Sequence, residues 1–175
     1  LHERRVCTSN TSSSQQQYPV EMSSAEEMPF KVGIHRRHEG IVEFRYADTF
    51  EVQDDQQIPR VLIAPAGGHV ELLLRFMREM REPYTLVYVL LAPYGDTKPG
   101  RYSITGIDQS TVHKFLVEYQ PFFEGDARHH LWIASEVDAS LLVYDQHNVI
   151  YAYGPVEQFA SILRAQGMRE AKTEF

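Results

Sequence analysis

The chain is short of cysteine. Its 175 residues hold one, Cys7, close to the N-terminus. One thiol cannot form an intramolecular disulfide, and zinc sites built on two or four cysteines are excluded with it. A reducing compartment fits this usage. Long apolar runs are lacking as well. The longest, Tyr84 to Tyr94, has about eleven residues against the roughly 20 that a membrane-spanning helix needs. The first residues are charged at Glu3, Arg4 and Arg5 and then turn polar, without the apolar stretch of a secretory leader. The expected location is the cytoplasm.

Basic charge is the third shortage. Lys and Arg number 17 against 24 Asp and Glu, for a net charge of −7. Binding to nucleic acid or to an anionic membrane is rewarded by a basic surface that releases counterions, so neither partner is expected. Familiar catalytic signatures are also missing. There is no G-x-S-x-G, no H-E-x-x-H and no kinase motif set. No cofactor and no metal are expected.

Aromatic residues are abundant: ten Tyr, nine Phe and one Trp. Such bulky, partly polar side chains suit a core edge or a binding surface. Their distribution, with that of the glycines and prolines, divides the chain. The run Thr8 to Gln17 has no apolar residue and cannot offset the entropy of ordering, so residues 1–28 are expected to be a disordered tail. Met22 within it could be a natural start. Two arginines against four glutamates leave the tail at −2 and the remainder at −5. A single domain is expected over 29–167, with a flexible C-terminus over 168–175.

Within that domain, two segments at 31–36 and 41–46 flank the turn-like Arg37-His38-Glu39-Gly40 and read as a hairpin. Val42, Phe44 and Tyr46 alternate with Glu43 and Arg45 at the period of a half-buried strand. A short strand follows at Val61-Leu62-Ile63-Ala64. Val70, Leu73, Leu74 and Met77 have helical spacing, so the first helix is expected over about 69–81. Thr85 to Leu91 is continuously apolar and reads as a central strand buried on both faces. Arg101 to Thr105 is the next strand. Asp108 can cap a second helix that reaches about Tyr119, where Pro121 breaks it. Strands are expected at 130–135, 141–144 and 149–153. The last helix opens at Gly154-Pro155, with Gly167 at its end. The order β-β-β-α-β-β-α-β-β-β-α groups strands in pairs and triplets. It predicts an α+β fold, a mostly antiparallel sheet of about six to eight strands carrying three helices.

Four features could carry chemistry. Ala66-Gly67-Gly68-His69 joins a strand to a helix and could offer backbone N–H groups to an anion. It lacks the Lys-Ser/Thr of a phosphate loop, and a tight turn explains it more simply. Asp126, His129, His130, Asp145 and His147 belong to segments that an antiparallel hairpin brings to one end of the sheet. Imidazoles and carboxylates gathered there could exchange protons with a substrate or bind a metal. Turn chemistry and strand flanks account for them more simply. His35-Arg36-Arg37-His38-Glu39 reads as a solvated hairpin tip. Tyr144, Val149, Tyr151 and Tyr153, with Tyr88, Tyr102 or Trp132, could share one sheet face. Left uncovered, that face would grip a planar ligand or a protein; covered by helices, it is core. The expected function is a non-catalytic binding module that takes another protein or a ligand on this surface, through Trp132, Tyr144, Tyr151 and Tyr153, with Gly67 and Gly68 as a further candidate site. The alternative is a small enzyme built on the Asp/His group. Oligomeric state is not encoded in any of these features.

Overall fold

A computed structural model describes residues 30–93 and 98–172. The expected N-terminal tail lies outside the described residues. The fold is α+β. Its main body is an eight-stranded sheet, mostly antiparallel, and a separate two-stranded hairpin sits beside it.

The hairpin comprises β1 (Gly33–Arg36) and β2 (Gly40–Glu43), paired so that Ile34 meets Val42. It is shorter than the alternation of Phe44 and Tyr46 implies. Those two rings leave the strand and pack edge to face, with centroids 4.9 Å apart. The large sheet begins with β3 (Thr49–Gln53) and β4 (Arg60–Ala64), then β5 (Tyr84–Leu90) and β6 (Gly100–Ile107). It continues with β7 (His129–Ser135), β8 (Leu141–Tyr144) and β9 (Ile150–Tyr153), and ends with β10 (Arg169–Glu170). In space the order is β10-β3-β4-β9-β8-β7-β5-β6. Only the pairing of β10 with β3 is parallel.

Among the described residues there are four α-helices, one more than expected. They are α1 (His69–Phe76), α2 (Gln109–Glu118), α3 (Gln120–Gly125) and α4 (Val156–Ala165). The α-helical part of α1 stops at Phe76, and a 3₁₀ turn over Met77–Glu79 continues it. The extra helix arises at Pro121. Pro121 does end α2, as expected, and it also opens the next helix: it sits in the first turn of α3, where its missing N–H would have had no partner in any case. Asp108 does cap α2, its carboxylate accepting the Thr111 N–H at 2.7 Å.

One sheet face is buried beneath the helices. Period-2 alternation sends Phe50, Val61, Ile63, Leu131, Ile133, Leu142, Tyr144, Ile150 and Ala152 to that side, and all of them belong to the core. Phe76 of α1 meets Phe159 of α4 there, with ring centroids 4.9 Å apart. Burying a side chain of this size contributes roughly 1.5–3 kcal/mol, which makes this layer the main source of stability. β5 is not central. It lies next to the edge strand β6, and its apolar run is explained by core on one side and the neighbouring Trp132 on the other. The C-terminal segment, expected to fray, contributes β10 against β3.

Candidate functional site

Among the described residues, no helix packs on the second face of the large sheet. Registers show which side chains share it. Arg60 pairs with Tyr153, Tyr153 with Leu141, Tyr151 with Val143, and Val143 with Trp132. Tyr151, Tyr153 and Trp132 therefore stand together, as the sequence suggests. Tyr144 does not stand with them. It pairs with Ile150, one position out of phase with Tyr151, and so points to the helix side, where it is fully buried.

Two hollows run along this open face. One, of about 520 Å³, is walled by Ile58, Arg60, Trp132, Val143, Tyr151 and Tyr153. The other, of about 540 Å³, lies between the hairpin and the sheet. Its walls are Val32, Ile34, Phe44, Tyr46, Asp145, His147 and Tyr151. Tyr151 belongs to both, so the hollows adjoin as one trough, lined chiefly by apolar and aromatic groups. Its polar groups are few and fixed. Arg60 donates from Nε to Gln53 Oε1 at 2.8 Å and from a terminal nitrogen to the Tyr153 hydroxyl at 3.0 Å. Its guanidinium carbon also lies 5.1 Å from the Tyr151 ring centroid, within cation–π range.

At one end the trough meets the tip of the β8–β9 hairpin. Asp145 Oδ1 accepts the N–H groups of His147 and Val149, at 2.8 and 3.0 Å, which closes the turn. The second carboxylate oxygen lies 3.4 Å from His147 Nδ1. Asp145 is buried and His147 exposed, so the imidazole is the group a ligand would touch.

The five Asp and His residues do gather at this end of the sheet, but on different sides of it. Asp126 is tied to Arg128, whose guanidinium holds its carboxyl below the usual carboxylate range. His130 faces the open side, half-buried, and burial lowers its pKa. His129 faces the helices and is fully enclosed. It stacks against Tyr88 and Phe122, with centroids 5.3 and 5.0 Å away, and meets Phe123 edge-on. Both its ring nitrogens lack a hydrogen-bond partner, and burial pushes its pKa down to about 4. Of the five, only Asp145 and His147 line the trough.

Beside His129 lies a group that sequence reasoning missed. Lys31 precedes the hairpin and is 6% exposed. Its Nζ donates to the Phe123 carbonyl at 3.2 Å and stands 3.7 Å from the Tyr144 ring centroid. Burial lowers its pKa to about 7, against the pull of Asp145, Asp126 and Glu124. His69 stacks on Tyr144, with centroids 5.2 Å apart, and burial and Lys31 together bring its pKa to about 4. A lone lysine between Phe30 and Val32 carries no local signal that it will fold inward.

Gly67 and Gly68 form the turn into α1. Gly68 is the N-cap residue at φ 67°, a left-handed conformation suited to glycine. Two backbone donors that flank this turn have partners within the chain. Val70 N–H bonds Glu124 Oε1 at 2.9 Å, and Ala66 N–H bonds Asp48 Oδ1 at 2.7 Å. With carboxylates already seated there, an anion would meet like charge.

Among the described residues, no three His, Cys, Asp or Glu side chains are grouped to hold a metal ion. Likewise, no helix among them is long and apolar enough to cross a membrane. No protein-family model, curated protein or solved structure matches the chain.

Proposed function

We propose that this protein is a binding module that grips an elongated apolar segment of another protein in the trough of its open sheet face. The observation that carries this reading is the adjoining pair of hollows, joined at Tyr151 and walled by aromatic and aliphatic side chains. An apolar groove with a few fixed polar groups is the usual form of a recognition site. Tyr, Trp and Arg are the residues that dominate binding energy at protein interfaces, and Tyr151, Tyr153, Trp132 and Arg60 cluster here. The net charge of −7 speaks against nucleic acid as the occupant.

A displayed library of unstructured peptides, panned on the full chain, tests the proposal. Enriched peptides should carry spaced apolar residues and should lose binding to Tyr151→Glu and Val143→Lys while each variant keeps its circular dichroism spectrum. Peptides that bind those variants as tightly as the parent would remove the trough from consideration.

The Asp145–His147 pair supports a second reading, because both residues line the same trough. A carboxylate beside an exposed imidazole can orient it as a general base. On this reading the trough binds a substrate and His147 moves a proton. His147→Gln should then abolish turnover of a bound substrate without weakening its binding.

A further inference from the structure

The two edges of the large sheet differ sharply. At one end stands β10, two residues long and both charged. At the other stands β6, eight residues long. Among the described residues no strand pairs with its outer side. A long unpaired strand presents a row of backbone N–H and C=O groups, and another extended chain can complete them. Natural edges are usually blunted by charge, proline or brevity. β6 has no proline, and its one charged residue is Arg101. A bulge lies towards its far end, where the Gly106 N–H bonds Glu136 at 2.8 Å. That leaves Gly100 to Ile104 regular.

This edge is also greasy on one side. Tyr102 and Ile104 point to the helix-bearing face, as shown by their pairing with Tyr88 and Leu86, and are 54% and 57% exposed. Tyr88 stands between Tyr102 and Phe122 of α3, with ring centroids 6.5 and 6.4 Å away, and Phe122 is 37% exposed. Apolar surface therefore continues from the strand onto the helical layer.

The geometry points to a second copy of this chain as the occupant, pairing its β6 antiparallel to this one across a two-fold axis. Three observations favour a copy. An axis perpendicular to the sheet keeps both helical layers on the same side, so a register centred on Ser103 sets Tyr102 of each chain opposite Ile104 of the other. A register centred on Tyr102 or Ser103 sets Arg101 opposite Ser103 or Thr105, so the two guanidinium groups do not meet. And among the described residues no other unpaired strand has this length: the hairpin strands have four residues each and β10 two. The result would be one continuous sheet with its open-face troughs on a common side.

The full chain would be sedimented from about 1 µM to about 300 µM, a range that brackets micromolar self-affinity. Twice the chain mass is expected at the upper end, and Ile104→Lys should stay at the mass of one chain with an unaltered circular dichroism spectrum. A spin label at Ser103→Cys, in a Cys7→Ser background, should show dipolar broadening in concentrated samples, since paired strands lie about 5 Å apart. A parent chain that remains monomeric throughout overturns the inference. So does a dimer that survives Ile104→Lys, or one that forms without broadening.

Discussion

The Lys31 ammonium stands over the ring of Tyr144, 3.7 Å from its centroid, and thereby fastens the segment before β1 to the floor of the main sheet. It donates a hydrogen bond to the Phe123 carbonyl and shares its pocket with His69 and His129. Three buried basic groups thus lie together, and burial depresses all three.

Lys31 makes stability rise with pH in the mildly alkaline range. Its folded value is about 7 against an ordinary 10.5. Between those values the unfolded chain holds the extra proton, so raising the pH withdraws an advantage from the unfolded state. The contribution is up to about 1.4 kcal/mol per pH unit and is complete above the ordinary value. Urea denaturation between about pH 7.5 and about pH 9.5 should show this slope. Lys31→Met should flatten it.

His129 produces the corresponding effect in acid. Its pKa is about 4 when folded and 6.5 ordinarily, so stability should fall as pH drops through that interval. His129→Phe keeps a ring between Tyr88 and Phe122 and removes two nitrogens that have no partner. It is expected to raise stability by about 1–3 kcal/mol, because unsatisfied buried polar atoms cost that much. The gap between the melting temperatures at pH 5 and pH 7 should narrow in the variant, leaving the part that the buried His69 causes. A variant that melts lower at both would show that the nitrogens have partners after all.

How much of this could be read beforehand differs from place to place. Asp108 as a cap and the helical spacing of Val70, Leu73 and Leu74 were legible because both depend on near neighbours in sequence. Strand β3 was not, because Phe50 and Val52 alternate over only five residues and run into a polar stretch. The open aromatic face was half legible. Tyr151, Tyr153 and Trp132 follow from alternation, but whether Tyr144 joins them depends on the register of the β8–β9 hairpin, which alternation within a strand does not set. The observed pairing of Tyr144 with Ile150 shifts the phase by one position, and in a strand one position changes the face. Lys31 was illegible, since nothing within a few residues of it shows that Tyr144, more than a hundred positions away, will lie beneath it.

Asp108→Ala should lower stability through the loss of one helix cap. It removes the acceptor for the Thr111 N–H at the start of α2 and leaves the core untouched. Urea midpoints of the two proteins give the difference directly. An unchanged midpoint would mean that another group takes over the cap.

Gly154→Ala should cost more, roughly 2 kcal/mol or above, since it combines two faults. The residue has φ 125°, and an added Cβ would lie 2.5 Å from Ser140 Oγ and 3.1 Å from the Ser140 backbone. Gly154→Ala with Ser140→Gly relieves the clash with the Ser140 side chain but leaves the torsion and the close backbone approach. Comparing the midpoints of the single and double variants separates the side-chain clash from the rest.

The strand β3 is held between β4 and β10, which among the described residues is the strand furthest along the chain. β4 in turn lies against β9. On a ribosome neither strand can be completed from what has already emerged. The β3–β4 pair must wait about ninety residues for β9, and longer for its other edge, with Val61, Leu62 and Ile63 meanwhile unsheltered. Synthesis, rather than the finished molecule, is therefore where this topology is most exposed to misassembly, and a chain stalled before residue 150 would leave the ribosome with an apolar strand paired to β3 on one edge and bare on the other.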